Sequence, residues 1–124
     1  MLVKEDGMGR PVVHFDIGCQ DREKAASFYS ALFDWKTEPY GEYSEKVDTG
    51  SGVGIMGSIT ALGHEPSRYV MVYVEVDDIP GHLEKVVVMG GKVVVPETEV
   101  PGGGRFAWFS DPDGNTMGLW NSGS

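Results

Sequence analysis

One pattern of residues occurs twice in the sequence, at Val12–Trp35 (VVHFDIGCQDREKAASFYSALFDW) and at Tyr69–Lys92 (YVMVYVEVDDIPGHLEKVVVMGGK). Each stretch reads as a strand, an acidic helix cap, a helix and the start of another strand. They superpose at a fixed offset, so that His14 falls on Met71 and Asp21 falls on Asp78. This repeat indicates two supersecondary units packed into one domain, because neither unit could bury its apolar face alone.

Alternating residue types predict the first strand of each repeat. Two-residue alternation is typical of a strand with one buried face. The apolar faces comprise Val13, Phe15 and Ile17 in the first repeat and Val70, Val72, Val74 and Val76 in the second. The opposite, chemically mixed faces comprise His14, Asp16 and Gly18 in the first repeat and Met71, Tyr73, Glu75 and Asp77 in the second.

A helix is predicted after each of these strands, capped by Asp21 in the first repeat and by Asp78 in the second. The predicted apolar stripe of the first helix is Ala25, Phe28, Tyr29, Leu32 and Phe33. The second helix has Pro80 in its first turn and the pair Gly90-Gly91 as its stop. Local propensity at Val86–Val88 favours a strand, but the repeat and the cap favour the helix.

Short strands with turn residues between them follow each helix. We predict strands at Lys36–Tyr40, Tyr43–Thr49, Val53–Thr60, Lys92–Glu99, Arg105–Ser110 and Asn115–Trp120. The predicted fold is α+β, with two βαβββ modules that form a curved mixed sheet covered by helices on its convex face. A tail at residues 1–11 precedes one domain at 12–121, in which a linker at 61–68 joins modules 12–60 and 69–121.

Composition narrows the classes of partner and compartment. The chain has 124 residues and a formal charge of −9, which repels phosphate backbones and argues against nucleic acid. No apolar run approaches the length of a membrane span or signal peptide. The lone Cys19 cannot form an internal disulfide, so we expect a reduced, partly buried thiol and a cytoplasmic protein.

The order of these features resembles the vicinal oxygen chelate superfamily, which includes glyoxalase I, bleomycin resistance proteins, fosfomycin resistance enzymes and extradiol dioxygenases. The resemblance rests on His14, on Phe28-Tyr29 after it, on Val76-Asp77-Asp78, on Gly90-Gly91-Lys92 and on the closing segment from Phe109 to Trp120 with its DPDGN turn. It extends from Val12 to Trp120 and implies the fold predicted above. It also implies a homodimer.

The resemblance implies four metal-ligand positions, one on the first and one on the last strand of each module. His14 fills the first, but Met71 fills the matching position of the second module, and Gly118 fills the last strand. The ligand position on the last strand of module one cannot be assigned to a single residue from the sequence. Residues 50–62, however, contain no His, Asp, Glu, Gln or Cys. We therefore expect no metal and no other cofactor. His14, Asp16 and Glu75 remain as a displaced metal set, although both carboxylates are expected near a solvated rim.

The concave face is the predicted binding site. Its predicted ligand-binding residues are His14, Asp16, Met71, Tyr73, Glu75 and Trp120. His14 is either a packed sheet histidine or a catalytic acid or base, and Trp108 and Trp120 are either core aromatics or a stacking wall. His64 and His82 are expected to face solvent, and the glycines at 102–104 to form a loop at the rim.

Three functions stay open. The first is a binding module for a small, possibly cationic organic molecule, like the bleomycin resistance proteins. The second is a metal-independent lyase or isomerase that uses His14 as acid or base. The third is a metal-dependent lyase or dioxygenase with a displaced site. Fold resemblance alone does not choose among them, because this fold supports many chemistries.

Overall fold

A computed structural model describes residues 9–63 and 67–123 of the chain. Its elements are, in order, β1 (Val12–Gly18), α1 (Arg22–Phe33), β2 (Lys36–Tyr40), β3 (Ser44–Asp48), β4 (Met56–Thr60), β5 (Tyr69–Glu75), α2 (Ile79–Val88), β6 (Lys92–Glu99), β7 (Arg105–Ser110) and β8 (Thr116–Asn121). The order βαβββ occurs twice, so the predicted fold class is confirmed. The separation of β5 from β1 along the chain equals that of α2 from α1, as the repeat predicts.

The chain divides into two compact units, which we call the first and the second unit. The first unit is His14–Met71, and the second contains residues 9–13 and 72–123 of the described chain. The first unit has the strand order β2-β3-β4-β1, and the second has β5-β8-β7-β6. In each unit the first strand lies parallel to the last, while the other pairs are antiparallel. Each unit therefore forms a mixed sheet.

Both helices begin at the predicted acidic caps. The Asp21 carboxylate accepts a hydrogen bond from the Lys24 amide, and the Asp78 carboxylate accepts one from the Gly81 amide, each at 3.0 Å. These side chains satisfy amides that have no partner inside the helix. Gly90, at a φ of 100°, ends the second helix as predicted. In the described part of the chain, no helix is both long enough and apolar enough to cross a membrane.

One apolar core lies beneath each helix. In the first unit, the buried side chains are Ile17, Ala26, Val47 and Ile59, with Phe15, Tyr29 and Trp35 packed against them. In the second unit, they are Val76, Ile79, Ala107 and Leu119, with Val74, Leu83 and Phe109 packed against them. The predicted strand faces are therefore correct at Phe15 and Ile17 and at Val74 and Val76, and the intervening residues point away from the helices.

Two parts of the predicted apolar faces are wrong. The first helix turns Ala26 and Tyr29 toward the sheet, which leaves Phe28, Leu32 and Phe33 on its exposed side, each more than half exposed. At the start of β5, Val70 is 77% exposed, because the packing of this strand against α2 involves Val74 and Val76. The helical and strand periods are predicted correctly. A period does not show, however, how much of a strand the helix covers or which apolar side chains of the helix face the sheet.

The largest error in a predicted boundary is at the fourth strand. The fourth strand begins at Met56 rather than at Val53, because the segment before it is a run of turns with positive φ at Gly50 and Gly54. The predicted tail, 1–11, lies outside the described residues up to position 8. Its end is tied to the second unit, since the Pro11 carbonyl accepts a hydrogen bond from the Glu75 amide at 2.9 Å.

Candidate functional site

His14 lies on the face of β1 that points away from the first helix. Its ring Nε2 lies 3.1 Å from the hydroxyl of Ser58, which belongs to the neighbouring strand β4. The backbone register sets His14 opposite Met56 and Asp16 opposite Ser58. The side chain of His14 is partly exposed. The structure thus brings together the predicted catalytic histidine and a serine that sequence reasoning did not select.

Asp16 is the centre of a buried hydrogen-bond network. One carboxylate oxygen, Oδ1, accepts hydrogen bonds from Ser58 at 2.9 Å and from Thr60 at 2.8 Å. The other, Oδ2, accepts one from the Tyr69 hydroxyl at 3.1 Å. Only 5% of Asp16 is exposed, so the expectation of a solvated carboxylate near a rim is wrong. Asp16 is satisfied by hydroxyl groups, which a buried carboxylate needs in place of water.

The pKa values of these two groups shift because both are withdrawn from water. Burial raises the pKa of Asp16, and the hydrogen bonds from Thr60, Ser58 and Tyr69 oppose that rise. Burial lowers the pKa of His14, and the charge of Asp16 opposes that fall. His14 is therefore more readily neutral near pH 7 than an ordinary histidine, and a neutral imidazole has one ring nitrogen that can accept a proton.

The ring of Tyr69, whose hydroxyl bonds to Asp16, lies close to the backbone of Gly18. Tyr69 lies over Gly18, where an added Cβ would come within 2.2 Å of the tyrosine ring. Ser44, on the third strand, lies 3.3 Å from the hydroxyl of Thr60 and extends the network. Sequence reasoning missed Ser58, Thr60 and Tyr69. Strand parity would have found Ser58 and Thr60 once β1 and β4 were paired, but no sequence motif gives that pairing. Tyr69 lies on β5 and has the same parity as Met71 and Tyr73.

The second unit has an aromatic arrangement at the corresponding positions. Tyr73 stands opposite Gly118, where an added Cβ would lie 2.4 Å from the tyrosine ring. The hydroxyl of Tyr73 accepts a hydrogen bond from the indole Nε1 of Trp108 at 2.8 Å. Trp108 is 5% exposed, which favours the core interpretation of this residue. Glu75 stands opposite Trp120, and both are partly exposed.

The predicted ligand-binding residues are therefore distributed over both units. His14, Asp16 and Met71 belong to the first unit, in which Met71 is 4% exposed. Tyr73, Glu75 and Trp120 belong to the second unit. Within the first unit, His14 and Asp16 share a hydrogen-bonded serine. Membership of all six in one binding site stays a prediction.

The residues at the family's metal positions do not fit a transition metal. Ser58 is the counterpart of Gly118, since each stands opposite the fifth residue of the first strand of its unit. A neutral hydroxyl is a poor ligand, Met71 offers only a thioether, and the ring of Tyr73 fills the space at Gly118. Within residues 9–63 and 67–123, no three His, Cys, Asp or Glu side chains are grouped to hold a metal ion.

The remaining candidate residues have ordinary structural roles. The Cys19 thiol is partly buried, as expected, and donates to the Thr60 carbonyl at 3.6 Å. Burial raises the pKa of this thiol, which makes it less reactive. His82 is partly exposed, and its Nδ1 lies 2.8 Å from the Asp78 carbonyl. His64 lies outside the described residues. Gly104, in the predicted rim loop, packs against the ring of Trp120.

The duplicated βαβββ unit, with His14 on its first strand, is the feature by which the chain is compared with known proteins. Residues 12–119 match the Glyoxalase/Bleomycin resistance protein/Dioxygenase superfamily, and the chain belongs to this superfamily.

Individual relatives agree with this assignment. CFP32 of Mycobacterium tuberculosis is 29% identical over 114 residues, which cover 86% of this chain and 44% of that protein. The anthracycline biosynthesis protein DnrV of Streptomyces peucetius is 30% identical over 126 residues, 88% of this chain and 46% of DnrV. The chain thus spans about half the length of these curated relatives. The Mn(II)-bound glyoxalase of Novosphingobium aromaticivorans superposes with a TM-score of 0.68 at 15% identity, over all of this chain and 42% of that one.

Proposed function

We propose that this protein binds a small organic molecule through His14, without a metal. The observation that carries the proposal is the linkage of a partly exposed imidazole to a buried carboxylate through Ser58. Ligand sites commonly combine a few well-oriented polar groups with shifted pKa values. Asp16 is too deeply buried to be a main contact and acts through Ser58 and His14. The other predicted contacts with exposed surface are Tyr73, Glu75 and Trp120, whereas Met71, at 4% exposed, is buried as deeply as Asp16.

The relatives support small-molecule recognition. DnrV takes its name from the biosynthesis of anthracyclines. A relative from Didymella fabae, 30% identical over 115 residues, is named a glyoxylase-like domain-containing protein. The charge of −9 further favours a cationic ligand over an anionic one.

The absence of a metal is tested by elemental analysis combined with native mass spectrometry of the purified protein. We expect no stoichiometric nickel, zinc, manganese or iron, because a serine, a methionine and a glycine stand where donors are needed. About one of these metals per chain, lost in His14→Ala, would contradict the proposal and favour the displaced set of His14, Asp16 and Glu75.

Ligand binding is tested by a thermal-shift screen of small amines, alcohols and carbonyl compounds. His14→Ala and Trp120→Ala should weaken the binding of any hit. The matched control is Val76→Ala, since Val76 is 3% exposed beneath the second helix and should affect stability without affecting affinity. If no compound distinguishes the wild type from His14→Ala, His14 is a packed sheet histidine.

A second candidate function is metal-independent acid or base catalysis by His14. It is favoured by the lowered pKa of this imidazole, which keeps the base form available near neutral pH. Hits from the screen should then be converted by the wild type, with the product followed by NMR, and His14→Gln should abolish conversion. Conversion that persists in His14→Gln would rule out this role for His14.

We infer that the working form is a homodimer. Phe28, Leu32 and Phe33 are each more than half exposed on the outer side of the first helix, and residues 27–33 contain no charged side chain. Because this apolar patch has no charged side chain, two copies of a chain of charge −9 can pair through it. Sedimentation at micromolar concentration should show twice the chain mass, and Phe28→Glu should shift it to the monomer. A monomer in the wild type would contradict this inference.

A further inference from the structure

A cavity of about 400 Å³ lies in the first unit, where β1 ends and β5 begins. Its lining residues are Ile17, Gly18, Cys19, Gln20, Tyr29, Arg68, Tyr69 and Val70. All of them belong to the first unit. The volume is within the range of small-molecule sites, which is about 300–1,000 Å³. The cavity is therefore large enough for a ligand that contains an aromatic ring.

This cavity borders the core beneath the first helix, whereas His14 lies on the opposite face of the sheet. The lining residues Ile17, Cys19 and Tyr29 pack in that core. Tyr69 also takes part in the hydrogen-bond network on the other face. A ligand in the cavity needs no contact with His14, so the inference is independent of the function proposed above.

The single formal charge in the lining of the cavity is on Arg68. Its Nη2 donates a hydrogen bond to the Oε1 of Gln20 at 3.2 Å, which holds the guanidinium beside the cavity. Within residues 9–63 and 67–123, Arg68 forms no ion pair. The side-chain amide nitrogen of Gln20 carries two hydrogens of its own. The guanidinium and the amide together offer several N–H donors to one anionic group.

Apolar surface next to Arg68 favours an anion with an aromatic body over an inorganic ion. Val70 is 77% exposed, and the ring of Tyr29 is partly exposed. A phosphate or sulfate ion would leave these side chains in contact with water. A flat ring would remove part of their apolar area from water and stack on the tyrosine.

We propose that this cavity binds a small aromatic carboxylate. The ring packs against Tyr29 and Val70. The carboxylate receives hydrogen bonds from Arg68 and Gln20, and the planar guanidinium can give it two parallel N–H···O bonds. Cys19 lines the same cavity and is the sole cysteine of the chain, so its thiol reports whether the cavity is filled.

The site is tested by alkylation of Cys19 with N-ethylmaleimide, with benzoate as the probe and benzamide as its neutral counterpart. Mass spectrometry follows the rate of modification of the folded protein with and without each compound. We expect benzoate at millimolar concentration to slow the reaction, because it covers the thiol. Benzamide should need an at least about fivefold higher concentration for the same protection, since it lacks the charge that the guanidinium binds.

Arg68→Gln should raise the benzoate concentration for half protection by about fivefold or more, and Arg68→Lys should cause a smaller loss. The side chain of Arg68 is exposed, so its replacement leaves the core intact. Lys46→Gln is the matched control, because it removes one positive charge from the same unit outside the cavity. It should leave the protection by benzoate unchanged. Each variant is compared with and without benzoate, so a change in the reactivity of the thiol itself cancels.

Equal protection by the two compounds would overturn the proposal, as would an unchanged response in Arg68→Gln. The absence of any protection by benzoate at millimolar concentration would also overturn it. His14→Ala distinguishes this site from the one proposed above, since protection of Cys19 should persist in that variant. Loss of protection in His14→Ala would mean that benzoate binds at His14, and would contradict a separate site.

Discussion

Asp16 and Tyr73 occupy the same position of the repeat, yet the two units use that position in opposite ways. In the first unit Asp16 stands opposite Ser58 and gathers three hydroxyl groups around a buried carboxylate. In the second unit Tyr73 stands opposite Gly118 and packs an aromatic ring into the space that a longer side chain would take. The same strand geometry thus accommodates a polar network or an aromatic cluster.

The polar network around Asp16 and the aromatic cluster around Tyr73 should respond differently to substitution. Aromatic packing loses stability in proportion to the apolar volume removed. A buried polar network loses stability when one acceptor disappears, because each donor that it served is left unsatisfied.

The largest effect is expected at Trp108, which is 5% exposed. Trp108→Ala should lower the free energy of unfolding by about 3–5 kcal/mol, measured by urea titration, because it empties a large buried volume. Trp108→Phe retains much of the ring and loses the bond to Tyr73, so it should cost far less. Equal losses in both variants would show that the hydrogen bond, and not the packing, holds the second unit.

In the first unit, Asp16→Ala should cost about 2–3 kcal/mol, because Ser58, Thr60 and Tyr69 lose their shared acceptor. Asp16→Asn keeps an acceptor and removes a charge whose burial is unfavourable, so its cost should stay below about 1 kcal/mol. Urea unfolding at pH 7 compares the two variants. If Asn is as costly as Ala, the charge itself stabilises the network.

Gly118→Ala should cost about 1–3 kcal/mol, since its Cβ meets the ring of Tyr73 at 2.4 Å. In the background of Tyr73→Ala the same substitution should cost little, because the ring is gone. Thermal unfolding of the four proteins of this double-mutant cycle measures the coupling. An additive result would mean that Gly118 is needed for a reason other than the ring.

The smallest effect is a pH dependence assigned to His14. Its pKa is lowered from 6.5 in the folded chain, so as pH falls through 6.5 the unfolded chain takes up this proton first and stability is lost. The contribution is fully present above about pH 7. Urea midpoints from pH 8 to pH 5 should therefore fall more in the wild type than in His14→Gln. Asp16, whose pKa is raised, contributes the opposite trend in both proteins.

Repetition and alternation made the fold predictable. The constant offset between the repeats fixed the order of elements, and the caps Asp21 and Asp78 decided the second helix against the strand preference of Val86–Val88. The extent of packing was not predictable in this way. Phe28 and Leu32 have helical spacing but point outward, because the helix turns Ala26 and Tyr29 toward its sheet.

The site was predictable only in part. Strand parity placed His14 and Asp16 on the face away from the helix, but the sequence does not show that Asp16 is buried. Its partners Ser58 and Thr60 lie 42 and 44 residues away and resemble ordinary strand residues. Their role depends on the parallel pairing of β1 with β4, which follows from the assembled sheet and not from any local pattern.

The partners of Asp16 also have a consequence for the folding pathway. Tyr69 comes from 53 positions further along the chain, whereas Arg22 of the first helix bonds to Gly41 and Ser44, which are 19 and 22 positions away. Contacts between distant residues require the closure of longer loops and form later than local ones. We therefore expect the bonds to the carboxylate of Asp16 to form later in refolding than those of Arg22, and the rate of that later step to depend on pH.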